Sequence, residues 1–217
     1  MDPAQLSQVL RRVKKAVKHW RTPVVTQVSR QRDPFRVLVS CLLSLRTRDE
    51  VTETAFLKLF ALADSPEKIL TLKPRQVEKA IYPVAFYRNK TKTLMDLCRT
   101  LIEKYQGRVP QTLEELLTLK GVGRKTANLT VILGFDGMGI CVDTHVHRIV
   151  NRWGYVSTAS PDETEMALRN KLPQKHWKEF NELLVLLGQN ICKPLSPLCS
   201  QCCIAEFCGK IGVGRHR

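Results

Sequence analysis

Apolar residues recur at three- and four-residue spacing along nearly the whole chain, and no sustained period-two alternation is flanked by hairpin turns. The pattern predicts an all-α protein. Residues 3–20 read as an amphipathic helix with a basic polar face. Asp33-Pro34 opens the next helix, with Asp as N-cap and Pro at its first position, and Phe35, Leu38, Val39, Leu42 and Leu43 form the core face. Ser44-Leu45-Arg46-Thr47-Arg48-Asp49 breaks that run before a helix over about residues 50–62. Ser65-Pro66-Glu67 caps a short helix, Lys73-Pro74 separates it from another, and Pro83 ends that segment. The stretch 84–90 reads as a turn leading to a long helix that ends near Tyr105. Thr112-x-x-Glu115 and Ser160-Pro161-Asp162-Glu163 have the form of capping boxes, and the last helix covers about residues 174–189. There is no internal repeat, low-complexity segment or flexible linker.

One interruption of the helical pattern carries chemistry. Leu119-Lys120-Gly121-Val122-Gly123-Arg124-Lys125-Thr126-Ala127-Asn128 sets two glycines in a tight turn that opens a helix. Outward amide N–H groups and the positive helix end suit a phosphate. Lys125 falls in the first turn, where the helix end and the Arg124 charge both disfavour an ammonium ion. A free lysine of pKa ~10.4 is neutral in about one molecule in 2,500 at pH 7, so an amine nucleophile first needs that value lowered. Spacing alone leaves Lys125 either as nucleophile or as phosphate ligand. Eighteen residues later, in Val142-Asp143-Thr144-His145, Asp143 has the position of an N-cap. Amides that cap through a carboxylate also keep it ionised, as stabilising a cationic intermediate requires.

Charge narrows the choice of partner. Lys and Arg number 35 against 20 Asp and Glu, a net charge of +15, which favours an anionic partner, nucleic acid before acidic membrane. Nine of those cations and only two carboxylates fall within the first 36 residues, as a solvated helix face or as part of a DNA-facing field. No apolar run is long enough to span a membrane, and no signal-peptide core appears. Of eight cysteines, Cys41, Cys98 and Cys141 stand singly in apolar segments as buried thiols, and five crowd between residues 192 and 208. In an intracellular chain such crowding points to metal rather than disulfides. Residue type leaves zinc and iron–sulfur both open.

The glycine turn with Lys125, and the Val-Asp-Thr-His stretch with Asp143, resemble the helix-hairpin-helix motif of the endonuclease III family of DNA glycosylases. Cys192-x6-Cys199-x2-Cys202-x5-Cys208 is similar to that family's iron–sulfur loop, and the similarity runs over about residues 34–208. The resemblance implies two helical domains flanking a DNA-binding cleft. One is a six-helix domain over residues 28–137 containing the helix-hairpin-helix. The other joins residues 1–27 to 138–217 and carries a [4Fe–4S] cluster on Cys192, Cys199, Cys202 and Cys208, with Cys203 left out.

It further implies a monomeric, cytoplasmic, prokaryotic enzyme of base excision repair, acting on double-stranded DNA with a damaged base or abasic site. That enzyme is a bifunctional DNA N-glycosylase and AP lyase. Oxidised pyrimidines leave through a Schiff base at Lys125 aided by Asp143, and β-elimination then cuts on the 3′ side. Gly121, Val122, Gly123 and Arg124 hold the backbone, without reading sequence. Arg46 stands where the family usually has glutamine, and its bidentate donors suit a guanine. Phe86 matches the position of an apolar wedge between bases, against a plain reading as a tucked loop residue. His145 matches a residue near the lesion pocket, against a plain surface histidine. Two other readings compete. One is a mismatch glycosylase of the same superfamily: its adenine branch normally lacks the lysine and carries a further C-terminal domain, and a thymine branch stays open because of Arg46. The other is a non-catalytic helix-hairpin-helix DNA-binding protein with a structural metal.

Overall fold

The computed structural model describes residues 3–217, and every regular element among them is helical. The chain forms two compact units: Val24–Gly139, and the N-terminal residues through Pro23 together with Ile140–Arg217.

The discontinuous unit begins with α1 (Pro3–Val17), which buries Leu6, Val9, Leu10, Val13 and Val17 along one stripe. The helix stops at Val17, short of Trp20, where a turn bond from the Trp20 amide to the Val17 carbonyl closes it. Its polar face is partly committed within its own unit: Arg12 pairs with Glu206 at 2.8 Å and Lys14 with Glu179 at 2.6 Å. Arg11, Lys15 and Lys18 remain exposed.

The continuous unit opens with α2 (Val24–Ser29), six residues that are too few for a periodic signal. In α3 (Pro34–Ser44), Asp33 caps the helix by accepting from the Phe35 and Arg36 amides. Eight of its eleven residues are buried, as befits a helix packed against α2, α4 (Asp49–Leu62), and elements further along the chain. Next come α5 (Pro66–Thr71), capped by Ser65, and α6 (Pro74–Ile81). α7 (Tyr87–Tyr105) starts earlier than periodicity indicates, because Phe86 turns the chain in a left-handed conformation and leaves Tyr87 to Lys90 already helical. α8 (Leu113–Thr118) is capped by Thr112, and α9 (Arg124–Leu129) runs on into a π-helical turn, Thr130–Gly134. That turn lies against α3, where Gly134 has its Cβ position 3.0 Å from the Pro34 Cα. Leu38, Leu59, Ile69, Ile81, Leu94, Leu97, Leu101 and Leu116 fill the core, each stabilising the fold by about 1.5–3 kcal/mol.

The chain then returns to the discontinuous unit with α10 (Thr144–Trp153), α11 (Pro161–Lys171) and α12 (Trp177–Asn190). Residues 174–176, expected to begin the last helix, form a tighter 3-10 turn instead. The Trp177 indole N–H, donating to the Leu172 carbonyl at 2.8 Å, pins the start of α12. Phe180, Leu184 and Leu187 of α12 meet Val146, Ile149, Val150 and Trp153 of α10 in this unit's core. No helix among the described residues is long and apolar enough to cross a membrane.

Candidate functional site

The glycine turn is built from the end of α8. Gly121 has φ +84°, and a Cβ there would overlap the Thr93 side chain. Only glycine fits both demands. The Val122 amide donates to the Leu119 carbonyl at 3.0 Å and the Val122 side chain is buried in the core. Val122 therefore closes the turn, with its amide engaged by the Leu119 carbonyl. Gly123 is the N-cap of α9 in an extended conformation, with its carbonyl accepting from the Ala127 amide and open space at its Cβ position. Arg124 and Lys125 follow in the first turn, both half-buried. Lys125 stands close enough to α3 for its charge to act on Cys41: burial pushes that thiol up to about 12, and the ammonium pulls against the shift. As expected, Cys41, Cys98 and Cys141 are buried thiols outside any disulfide.

Arg46 and Phe86, forty residues apart, come together. The Arg46 guanidinium lies 5.9 Å from the centre of the Phe86 ring, within reach of a cation–π contact. Both are exposed, Phe86 at 60%, so Phe86 is not tucked into the core. Both also have left-handed backbones, φ +54° and +57°, a costly conformation for an arginine and more so for an aromatic residue.

In the discontinuous unit Asp143 caps α10, accepting from the His145 amide at 2.9 Å and the Val146 amide at 3.0 Å, and it is 8% exposed. His145 packs over Gly188 of α12, where a Cβ would strike its ring, and its Nδ1 lies 3.1 Å from an Arg148 guanidinium nitrogen. Cys192, Cys199, Cys202 and Cys208 line one pocket together with Arg152, Trp153 and Lys210, and Cys203 is not part of its wall. Among the described residues no three His, Cys, Asp or Glu side chains are gathered tightly enough to hold a single metal ion.

Sequence reasoning missed the residues that grip this loop. Arg148 donates to the Cys192 carbonyl at 2.8 and 3.1 Å, and Arg152 to the Lys193 and Pro194 carbonyls at 2.8 and 2.6 Å and to Cys192 Sγ at 3.4 Å. An arginine's partners in a distant loop leave no local trace, although the pair's four-residue spacing on one helix face was visible.

Residues 39–174 match the family described as HhH-GPD superfamily base excision DNA repair protein. The chain is 48% identical to endonuclease III of Thermotoga maritima over 82% of its own length and 84% of that protein's. It is 38% identical to endonuclease III-like protein 1 of Gallus gallus over 95% of its length and 78% of the relative's. Among solved structures, a trapped endonuclease III–DNA covalent intermediate, in an estranged-adenine complex, superposes with a TM-score of 0.86 at 31% identity, covering 97% of each chain. A thermostable thymine-DNA glycosylase shares the fold, with a TM-score of 0.82 at 24% identity. The chain belongs to the endonuclease III family of the HhH-GPD superfamily of base excision DNA repair proteins.

Proposed function

We propose that the chain is a bifunctional DNA glycosylase and AP lyase that removes oxidised pyrimidines from duplex DNA. The observation that carries this reading is a lysine, Lys125, in the first turn of α9 behind a glycine turn, within a fold matching a trapped endonuclease III–DNA covalent intermediate at a TM-score of 0.86. The neutral Lys125 amine attacks C1′ of the damaged nucleotide, and the glycosidic bond breaks with its electron pair leaving on the base. Loss of a proton and ring opening give the Schiff base. Removal of a C2′ proton then expels the 3′ phosphate by β-elimination. Asp143, whose side chain accepts from two amides, stabilises the positive charge that develops on the sugar. The target base must leave the stack first, and Arg46 and Phe86 are the side chains proposed to fill the space behind it. His145, held against α12, is proposed to border the extruded nucleotide. Borohydride treatment of a complex with a thymine-glycol duplex tests the whole reading. A covalent adduct supports it, and tight binding without an adduct overturns it in favour of a reading without a Schiff base, a DNA-binding protein first.

The amides of Gly121 and Gly123 and the Arg124 side chain are the proposed phosphate contacts. This makes the two glycines separable. Gly121→Ala is expected to destabilise the fold by at least about 1 kcal/mol, from strain at positive φ plus the collision with Thr93. Gly123→Ala should leave the melting temperature nearly unchanged and still weaken DNA binding about tenfold, since its methyl group would stand where the backbone approaches. Parallel melting and binding titrations check both.

Cys192, Cys199, Cys202 and Cys208 would hold a [4Fe–4S] cluster: they share one pocket wall, and the Arg152 guanidinium and the Lys210 amide donate to the Cys192 and Cys208 sulfurs, the kind of outer contact that orients cluster ligands. Bound there, the cluster would act as a cross-link that orders the loop, since the proposed reaction needs no electron transfer. A hydrogen bond between Cys202 and Cys203 pushes the Cys202 thiol up and brings Cys203 down to about 7, so ligation by Cys202 has to displace a proton. Cys202→Ser is expected to lose the brown colour and bound iron, and Cys203→Ser to keep both, by visible absorption and iron assay. Zinc in place of iron in the purified protein would overturn the assignment.

A further inference from the structure

Lys90, in the first turn of α7, has a role that neither periodicity nor motif suggests. Its side chain is only 7% exposed. The ammonium lies 2.8 Å from the Leu43 carbonyl, 2.6 Å from the Leu45 carbonyl and 3.3 Å from the Thr47 hydroxyl. Three acceptors match the three N–H donors of an ammonium ion. The two carbonyls belong to the end of α3, where a helix leaves its last carbonyls without intrahelical partners. All three acceptors are neutral, and burial holds the lysine down at about 8. A buried cation without a carboxylate is expensive to keep, so its geometry is informative.

That geometry brackets the Arg46–Phe86 pair. Leu45 precedes Arg46 and Thr47 follows it, and both are bound by the same ammonium. The Thr47 hydroxyl also accepts from the Ala85 amide at 3.2 Å, and the Lys90 amide donates to the Phe86 carbonyl at 2.9 Å. Two left-handed residues that ordinary chain would abandon are thus tied down on either side. We infer that Lys90 is a positioning residue that locks the Arg46 loop to the Phe86 turn, so that the two exposed side chains enter DNA as one wedge. This rests on the proposed DNA-facing role of Arg46 and Phe86.

The test is a duplex carrying a tetrahydrofuran abasic analogue with 2-aminopurine opposite, whose fluorescence rises when the wedge disturbs stacking. Arg46→Ala and Phe86→Ala should each reduce the rise. Lys90→Met keeps the length and apolar volume of the side chain and removes the three donors. It is expected to reduce the rise as strongly as either, and to slow base release from a thymine-glycol duplex by about 10- to 100-fold, as for a misplaced positioning group. In the Arg46→Ala, Phe86→Ala double variant, Lys90→Met should add nothing further. An equal loss in both backgrounds, or no loss at all, overturns the inference. Thr47→Val, which cuts only the hydroxyl link, is expected to move the signal in the same direction by less, and it decides the question if Lys90→Met does not fold. If Arg46→Ala and Phe86→Ala leave the wild-type signal intact, both readings fall, and the DNA-facing role is identified as the failing part.

Discussion

Lys125→Gln is expected to give no borohydride-trapped adduct and to slow strand cleavage at an abasic site on the order of 10⁴-fold, the scale seen when a nucleophile is removed. Glutamine retains donors that can meet a phosphate and a similar reach, and it lacks the amine lone pair. The position sits in the first turn of α9, half-buried and within electrostatic reach of the buried Cys41, so no core volume is lost. Melting temperature should therefore stay close to wild type. Affinity for an uncleavable abasic duplex should fall by about tenfold at most, the share of one cationic contact among many. This split distinguishes a nucleophile from a phosphate ligand at the same place. A ligand's loss would weaken binding and leave an adduct through some other amine. Adduct formation by Lys125→Gln at the wild-type rate would end the Schiff-base reading.

Much of this architecture is written in local chemistry. Asp33, Ser65, Thr112, Asp143 and Ser160 all cap helices in the structure with side-chain oxygens, because an N-cap is decided by a residue and the two or three amides after it. The glycine turn was legible for the same reason, yet its inner detail was not. That the Val122 amide is consumed by Leu119 depends on how tightly the turn closes, which glycine spacing does not specify. The start of α7 was misplaced because a left-handed Phe86 violates the preference of its residue type, and such a violation is stabilised from elsewhere. Lys90 is the extreme case. Its acceptors lie more than forty residues away in sequence, so in the sequence it looks like any surface lysine. The catalytic and DNA-facing candidates were therefore visible by type, and the groups that hold them were not, because those groups act through tertiary contacts.

Asp143 offers the sharpest separation of folding from chemistry, because two substitutions divide its duties. Asparagine is nearly as good an N-cap as aspartate, so Asp143→Asn should still accept from the His145 and Val146 amides. What it lacks is the negative charge. Losing that charge at the positive end of α10 costs about 0.3–1 kcal/mol of stability. The effect on reaction should be far larger: about 10²- to 10³-fold slower base release, the range for removing a preorganised electrostatic group. Asp143→Ala removes cap and charge together, and should lower stability by roughly a further 1 kcal/mol while slowing the reaction no more than asparagine does. Melting curves beside single-turnover base release give both quantities for each variant. A cap-only role makes the opposite forecast, with asparagine at wild-type rates and alanine losing rate only as far as it loses folded protein. If asparagine and alanine slow the reaction equally while their melting temperatures diverge, the carboxylate's charge acts on the sugar cation, and its hydrogen bonds to α10 serve to hold that charge in place.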